Sequence, residues 1–207
     1  MAEPVYRSWS ARLSRPDAAP GHPTYLDGPV SQTGPSIRLR EATLDDAEVY
    51  DTRAGQAEWI GEFNDFGLPA SPRLAENLAD GKRMVSPERG HLMIERLSDD
   101  AVIGDISWHP VSYGPNEASR ALNIGLSLIP DARGHGYGTE AQRLMAQLLF
   151  RLFEIERVEA STDVENIVEQ RSLEKAGFTR EGVQRRAQFR ADAYHDLVSY
   201  SILREDL

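Results

Sequence analysis

Between residues 121 and 152 a strand pattern, a glycine-rich turn and a long amphipathic helix follow one another without a break. ALNIGLSLIP (121–130) alternates as a strand, and Pro130 stops it. Arg133-Gly-His-Gly-Tyr-Gly138 then places three glycines in five residues. Directly after it, Ala141, Leu144, Met145, Leu148, Leu149 and Leu152 keep the i, i+3, i+4 spacing of a buried helix face. The first amides of a helix have no partner within it and sit at the positive end of the macrodipole. Glycine lets the backbone approach a ligand closely. A strand, a glycine turn and a helix start therefore make a cradle of N–H groups suited to a phosphate or diphosphate. Arg133 would add a charged donor. A tight turn without a ligand is the competing reading. The mononucleotide string G-x-x-x-x-G-K-[ST] is absent, and Thr139 stands where a dinucleotide fingerprint needs its third glycine.

The remaining chain sets the fold class. Six of the twelve prolines lie within residues 1–35, a stretch that cannot propagate helix. Residues 1–34 read as an extended, Pro-rich arm, and residues 35–207 as the folded domain. SIRLREAT (36–43) alternates as a half-buried strand, and Thr43 caps the helix that follows it. Residues 56–81 read as helix in two pieces, broken near Gly67-Leu-Pro69. HLMIERL (91–97) and AVIGDISWHP (101–110) read as an antiparallel hairpin, and Val111–Arg120 as a polar loop. RVEAST (157–162) is a short strand, and ENIVEQRSLEKAG (165–177) a helix ended by Gly177. Strands at about 178–190 and 194–203 close the chain. The class is α+β, with a mixed, mainly antiparallel sheet and flanking helices.

Charge and composition narrow the chemistry. The formal net charge of −10 disfavours general binding to nucleic acid or anionic membrane and suits a cationic partner such as an amine. The sequence contains no cysteine, which removes disulfides, a thiol nucleophile and thiolate metal sites. With five histidines and no H-x-x-x-H or H-E-x-x-H string, no metal site is expected. There is no apolar run of about 18 residues and no apolar h-region near the start, so a cytoplasmic protein is expected.

Two separated motifs carry a resemblance. Arg133-Gly-His-Gly136-Tyr-Gly138 matches the R/Q-x-x-G-x-G/A signature of the GNAT superfamily of acyl-CoA N-acyltransferases. Asp163-Val-Glu-Asn166 followed by Leu173-Glu-Lys-Ala-Gly-Phe178 resembles that superfamily's N…LEK-x-GF segment. The closing YHDLVSYSILRED is similar to the end of the subgroup that includes ribosomal-protein N-terminal acetyltransferases. The resemblance covers about residues 36–205. It implies acetyl-CoA as co-substrate and a primary amine as acceptor: a peptide N-terminus, a lysine or a small molecule. It places the diphosphate on Arg133, Gly134, His135, Gly136, Tyr137, Gly138 and Thr139. The pantetheine arm would run along the strand ending at Leu128 and Ile129 and bond to Asn166. Arg171 or Lys175 would meet the adenosine phosphate, unless both simply face solvent.

Candidates for proton transfer follow. A free alkylamine resembles lysine, so it must lose a proton before attack, and the leaving thiolate then needs one. The resemblance aligns Asn123 with a frequent glutamate and Glu169 with a frequent serine or tyrosine. Both depart from that pattern. Asn123 would orient a water, and Glu169 would act as acid or base if burial raised its pKa. Alternation puts Asp105, Ser107 and His109 on one strand face, which either lines an acceptor cleft or meets solvent, and makes His109 a third candidate. His195 and Asp196 are adjacent on a strand, so they face apart and do not form a dyad. Without cysteine, acyl transfer would be direct. A non-catalytic acyl-CoA-binding regulatory module is the alternative, motivated by the departures at Asn123 and Glu169. The arm of residues 1–34 is a candidate for homodimer contacts or for covering the acceptor cleft.

Overall fold

The computed structural model describes residues 28–53, 56–67, 74–82 and 84–207. The expected arm up to residue 27 and the expected break at residues 68–69 lie outside the described residues. Strand β1 (Ser31–Thr33) pairs antiparallel with β2 (Ile37–Arg40), so the last residues assigned to the arm belong to the sheet. Val30 beside them is buried against the core, and that burial fixes this segment.

Helices α1 (Leu44–Arg53), α2 (Ala57–Ile60) and α3 (Leu74–Ala79) follow. Thr43 and Asp46 cap α1 reciprocally. Asp46 N–H donates to Thr43 Oγ1 at 3.2 Å, and Thr43 N–H donates to an Asp46 carboxylate oxygen at 2.8 Å. Strands β3 (Gly90–Arg96), β4 (Ala101–Ser112) and β5 (Arg120–Leu128) form an antiparallel meander. Helix α4 (Tyr137–Leu152), strand β6 (Arg157–Asp163) and helix α5 (Ile167–Ala176) come next. A hairpin of β7 (Thr179–Arg190) and β8 (Ala193–Leu203) closes the chain. Its two turn residues, Ala191 and Asp192, both have positive φ (47° and 60°), the pairing that matches strand twist in a two-residue hairpin.

Among the described residues eight strands make one sheet in the order β1-β2-β3-β4-β5-β6-β8-β7, and only β5 and β6 run parallel. Helix α4 lies on the apolar face. Its Ala141, Met145, Leu148 and Leu149 are fully buried with Leu39, Leu92, Ile106, Leu122 and Val158 of the sheet. Each such leucine contributes about 1.5–3 kcal/mol by leaving water. Glu140 ties the same helix to β2 by accepting Ser36 N–H (2.8 Å) and Ile37 N–H (3.2 Å). A smaller cluster of Ala47, Leu74 and Met93 carries α1 and α3. Among the described residues no helix is long and apolar enough to cross a membrane.

Candidate active site

The site begins where the sheet splits. Strands β5 and β6 are in register only at Leu122–Val158 and Asn123–Glu159. Beyond that point β5 stays with β4 as far as Leu128, whereas β6 stays with β8 as far as Asp163. The two halves diverge and leave a fork. A cavity of about 930 Å³ fills it. Ile124 to Leu128 form one wall, Ala160 to Thr162 the other, and α4 and α5 meet at its end. Ile129 N–H donates to Ile103 O on the β4 side at 3.0 Å. Strand alternation therefore aims the amides of Leu126 and Leu128 toward the open side, where β6 has left.

The glycine turn stands at the mouth of this fork. Gly134 and Gly136 have φ of +78° and +86°, and a Cβ on either would meet nothing within 4 Å. Both therefore need glycine for conformation and keep open space in front of the backbone. Gly136 is the N-cap of α4 and supplies no side-chain cap. The first helical bond is Glu140 N–H to Gly136 O, so the amides of Tyr137, Gly138 and Thr139 have no acceptor within the helix.

Where α4 and α5 meet, a polar chain runs between them. Gln142 is 1% exposed and donates from Nε2 to Glu169 Oε1. Ser172 Oγ donates to Gln142 Oε1 at 3.0 Å and lies 3.0 Å from Thr139 Oγ1. Burial pushes the Glu169 carboxyl up to about 7, and the Gln142 hydrogen bond opposes that rise. Glu169 thus exchanges a proton near neutrality and lines the cavity.

A strap crosses the mouth of the fork. Residues Ile60 to Asn64 line the cavity from outside the sheet. Arg133 holds one end, donating to Glu58 O and Trp59 O (3.1 Å each) and to Leu128 O (2.9 Å). Arg190 holds the other. It donates to Glu62 O at 2.6 Å, pairs with Asp163, and stacks over the Phe63 ring at 5.4 Å. His195 Nδ1 lies 3.1 Å from the same Asp163 carboxylate.

Comparison with known proteins identifies this architecture. Residues 36–179 match the family described as the acetyltransferase (GNAT) domain. The chain belongs to the GNAT acetyltransferase family. It is 33% identical over 140 residues to the Bacillus subtilis (strain 168) protein named "Probable N-acetyltransferase YjcK", covering 68% of this chain and 66% of that one. That is just under two thirds of the relative's length. In fold it is similar to a ribosomal L7/L12 alpha-N-protein acetyltransferase, RimL, solved with coenzyme A. That match has a TM-score of 0.70 at 17% identity, over 86% of this chain and all of the other (100%). It is also similar to Mycobacterium smegmatis RimJ, solved with a CoA-disulfide, with a TM-score of 0.63 at 20% identity over 87% of this chain and 88% of the other.

Seen as a GNAT domain, the chain places its expected cofactor residues unevenly. Leu128, Arg133, Gly134, Gly136, Gly138, Thr139, Asn166 and Arg171 all line the cavity, as does Lys175. His135, Tyr137 and Ile129 do not. His135 is exposed with its ring 5.9 Å from that of Tyr137, while Tyr137 and Ile129 pack against the core. Three unpaired amides and the open space at Gly134 and Gly136 fit a diphosphate. The Arg133 side chain lines the cavity and uses Nε and Nη2 on strand and strap carbonyls, so its expected contact with the diphosphate would fall to Nη1. Asn166 is the N-cap of α5. It accepts Glu169 N–H at 3.3 Å and donates to Thr162 Oγ1 at 3.0 Å.

The expected catalytic set separates. Glu169 lies in the cavity, but Asn123 and His109 do not line it. They face each other across the β4–β5 pairing, and Asn123 sits in register with Glu159 where the fork is still closed. His109 is exposed. Asp105 is 8% exposed and pairs with His91 Nε2 at 3.0 Å, so the Asp105–Ser107–His109 face does not line this cleft either. His195 and Asp196 part as expected. His195 faces Asp163, while Asp196 Oδ1 accepts Arg186 N–H at 2.7 Å. The sequence reading missed Gln142, Ser172, Arg190 and the strap. Gln142 gave a faint signal as a polar residue next to the apolar stripe of α4.

Proposed function

We propose that this protein transfers an acetyl group from acetyl-CoA directly to a primary amine. The observation that carries this reading is the uncapped, glycine-lined start of α4 opening into the β5–β6 fork. The amides of Tyr137, Gly138 and Thr139 would hold the diphosphate. The open edge of β5 would hold the pantetheine arm through backbone bonds, and an amide at Leu126 or Leu128 would stabilise the oxyanion. When bound, acetyl-CoA supplies the thioester acetyl group. The acceptor ammonium would lose one proton to solvent before attack; Glu169, with a pKa of about 7, would give its proton to the departing sulfur and regain one from the acceptor nitrogen as the amide forms. The sequence has no cysteine, so the chain offers no acyl-thiol intermediate.

The acceptor would be cationic in its resting form, in keeping with the net charge of −10. Peptide N-termini lead the acceptor panel because the RimL neighbour is described as an alpha-N-protein acetyltransferase. Lysine peptides and small polyamines complete it. Titration calorimetry with acetyl-CoA, followed by CoA-thiol release across that panel, is the test. Absence of binding at millimolar acetyl-CoA would overturn the reading. Binding without turnover on any amine would leave an acyl-CoA-binding module in its place.

A further inference from the structure

The polar chain between α4 and α5 has a direction. Ser172 has one hydroxyl proton and donates it to Gln142 Oε1. Its 3.0 Å contact with Thr139 is therefore one in which Thr139 donates. With its oxygen occupied by Ser172, the Gln142 amide turns its N–H toward Glu169 Oε1. All three bonds run from Thr139 to Glu169, and each donor polarises the next. Gln142 is 1% exposed, so water cannot substitute for either partner. Thr139, at the far end, lines the cavity and carries one of the unpaired α4 amides.

We propose that Gln142 is the positioning residue of this site. Its amide, locked by Ser172 and Thr139, commits one oxygen of Glu169 and leaves the other to exchange the proton in the cavity. This rests on the acetyl-transfer reading for its biological meaning, but not for its physics. A donor to a carboxylate favours the charged form. Burial alone would drive Glu169 further up, and the Gln142 bond is what restrains it. Among the described residues no charged group pairs with Glu169. Glu62 on the strap, Arg133 at the glycine turn, and Arg171 and Lys175 on α5 share the cavity lining. Arg133 donates to carbonyls through Nε and Nη2, Glu140 of α4 accepts from Ser36 and Ile37, and Asp163 of β6 pairs with Arg190.

The experiment is a carboxyl-carbon NMR titration of Glu169, assigned with Glu169→Gln, in the wild type, Gln142→Met and Ser172→Ala. It is run beside kcat and KM against pH with the best amine of the panel. The wild-type midpoint should lie near 7. Gln142→Met should raise it by about one to two units, the worth of one hydrogen bond to a charged group. Ser172→Ala, which frees the amide to flip, should raise it by less. In turnover, kcat should fall about tenfold while calorimetric affinity for acetyl-CoA changes less than about twofold, because the group affected is the proton donor. An unmoved Glu169 midpoint in Gln142→Met would overturn the proposal. Should Gln142→Met not fold, an unmoved midpoint in Ser172→Ala would do the same. A shifted midpoint without turnover on any amine would keep this proposal and remove the acetyl-transfer reading. Turnover with a pH profile indifferent to Gln142 would do the reverse.

Discussion

Helices α4 and α5 both start at the same cavity, with the same dipole direction relative to their own chains, yet their first turns are in opposite states. Helix α5 begins with Asn166 at φ −79°, whose side-chain oxygen satisfies the Glu169 amide. Helix α4 begins with Gly136 at φ +86°, which has no side chain to offer. A helix start that caps itself is finished as structure. One that withholds its cap inside a sheltered cavity keeps its donors for something else. On the proposed reading the binding device is a missing side chain, and the Asn166 cap on the neighbouring helix is scaffold.

The largest expected effect comes from giving α4 the cap it lacks. Gly136→Asp places a carboxylate against the amides, and affinity for acetyl-CoA should fall at least about 100-fold by calorimetry. Its unfolding temperature should also fall, because an L side chain at φ +86° is strained, so calorimetry is run well below that midpoint, where the variant is folded. Retained affinity would break the distinction between the two helices.

Glu169→Gln should come next, with kcat/KM reduced about 100-fold and the ionisation near pH 7 absent from the rate profile. Stability gives an independent check. The folded-state pKa of Glu169 lies above its ordinary value, so the folded state holds the proton more tightly than the unfolded state. The wild type is therefore favoured below about pH 4.5 and loses stability as pH rises to about 7. Denaturant titration should show that loss, about 3 kcal/mol, flattened in Glu169→Gln.

Arg190→Ala tests the strap. It leaves Asp163 buried without its guanidinium and releases Glu62 O, which should cost about 3 kcal/mol. In turnover the acceptor KM should rise more than the acetyl-CoA KM, because Arg190 holds the end of the strap opposite Arg133 and the glycine turn. Equal changes in both would mean that the strap serves the whole cleft.

Asn166→Ala should have the smallest effect, about 1 kcal/mol of stability for a lost cap. Its acetyl-CoA affinity should stay within about twofold. A tenfold loss would show that Asn166 also reaches the pantetheine arm and would erase the contrast with Gly136.

Local features were legible because their physics is local. The α4 stripe, the Thr43 cap, the hairpins and the Gly177 stop at φ +102° each depend on residues within a few positions of one another. The glycine turn was legible for the same reason. The catalytic assignment was only partly so. Glu169 could be singled out by its spacing from Asn166, but its proton affinity depends on its burial and then on Gln142, 27 residues away. Asn123 and His109 were misplaced because strand alternation gives a face and not the position where two strands part. The charge of Arg133 was visible in sequence. The carbonyls of Glu58 and Trp59 that occupy its Nη2, 75 and 74 residues distant, were not.

By itself the sequence determined an α+β domain, a strand–glycine turn–helix junction, and an acidic composition without thiols. Those follow from backbone periodicity, the conformational freedom of glycine and side-chain charge, none of which needs a partner distant in the chain. The tertiary structure alone decided where β5 and β6 part, which cations are consumed by carbonyls, and which carboxylate is buried enough to hold a proton near pH 7. Burial and long-range hydrogen bonds set those outcomes, and neither exists until α4, α5 and the two halves of the sheet have closed around the fork.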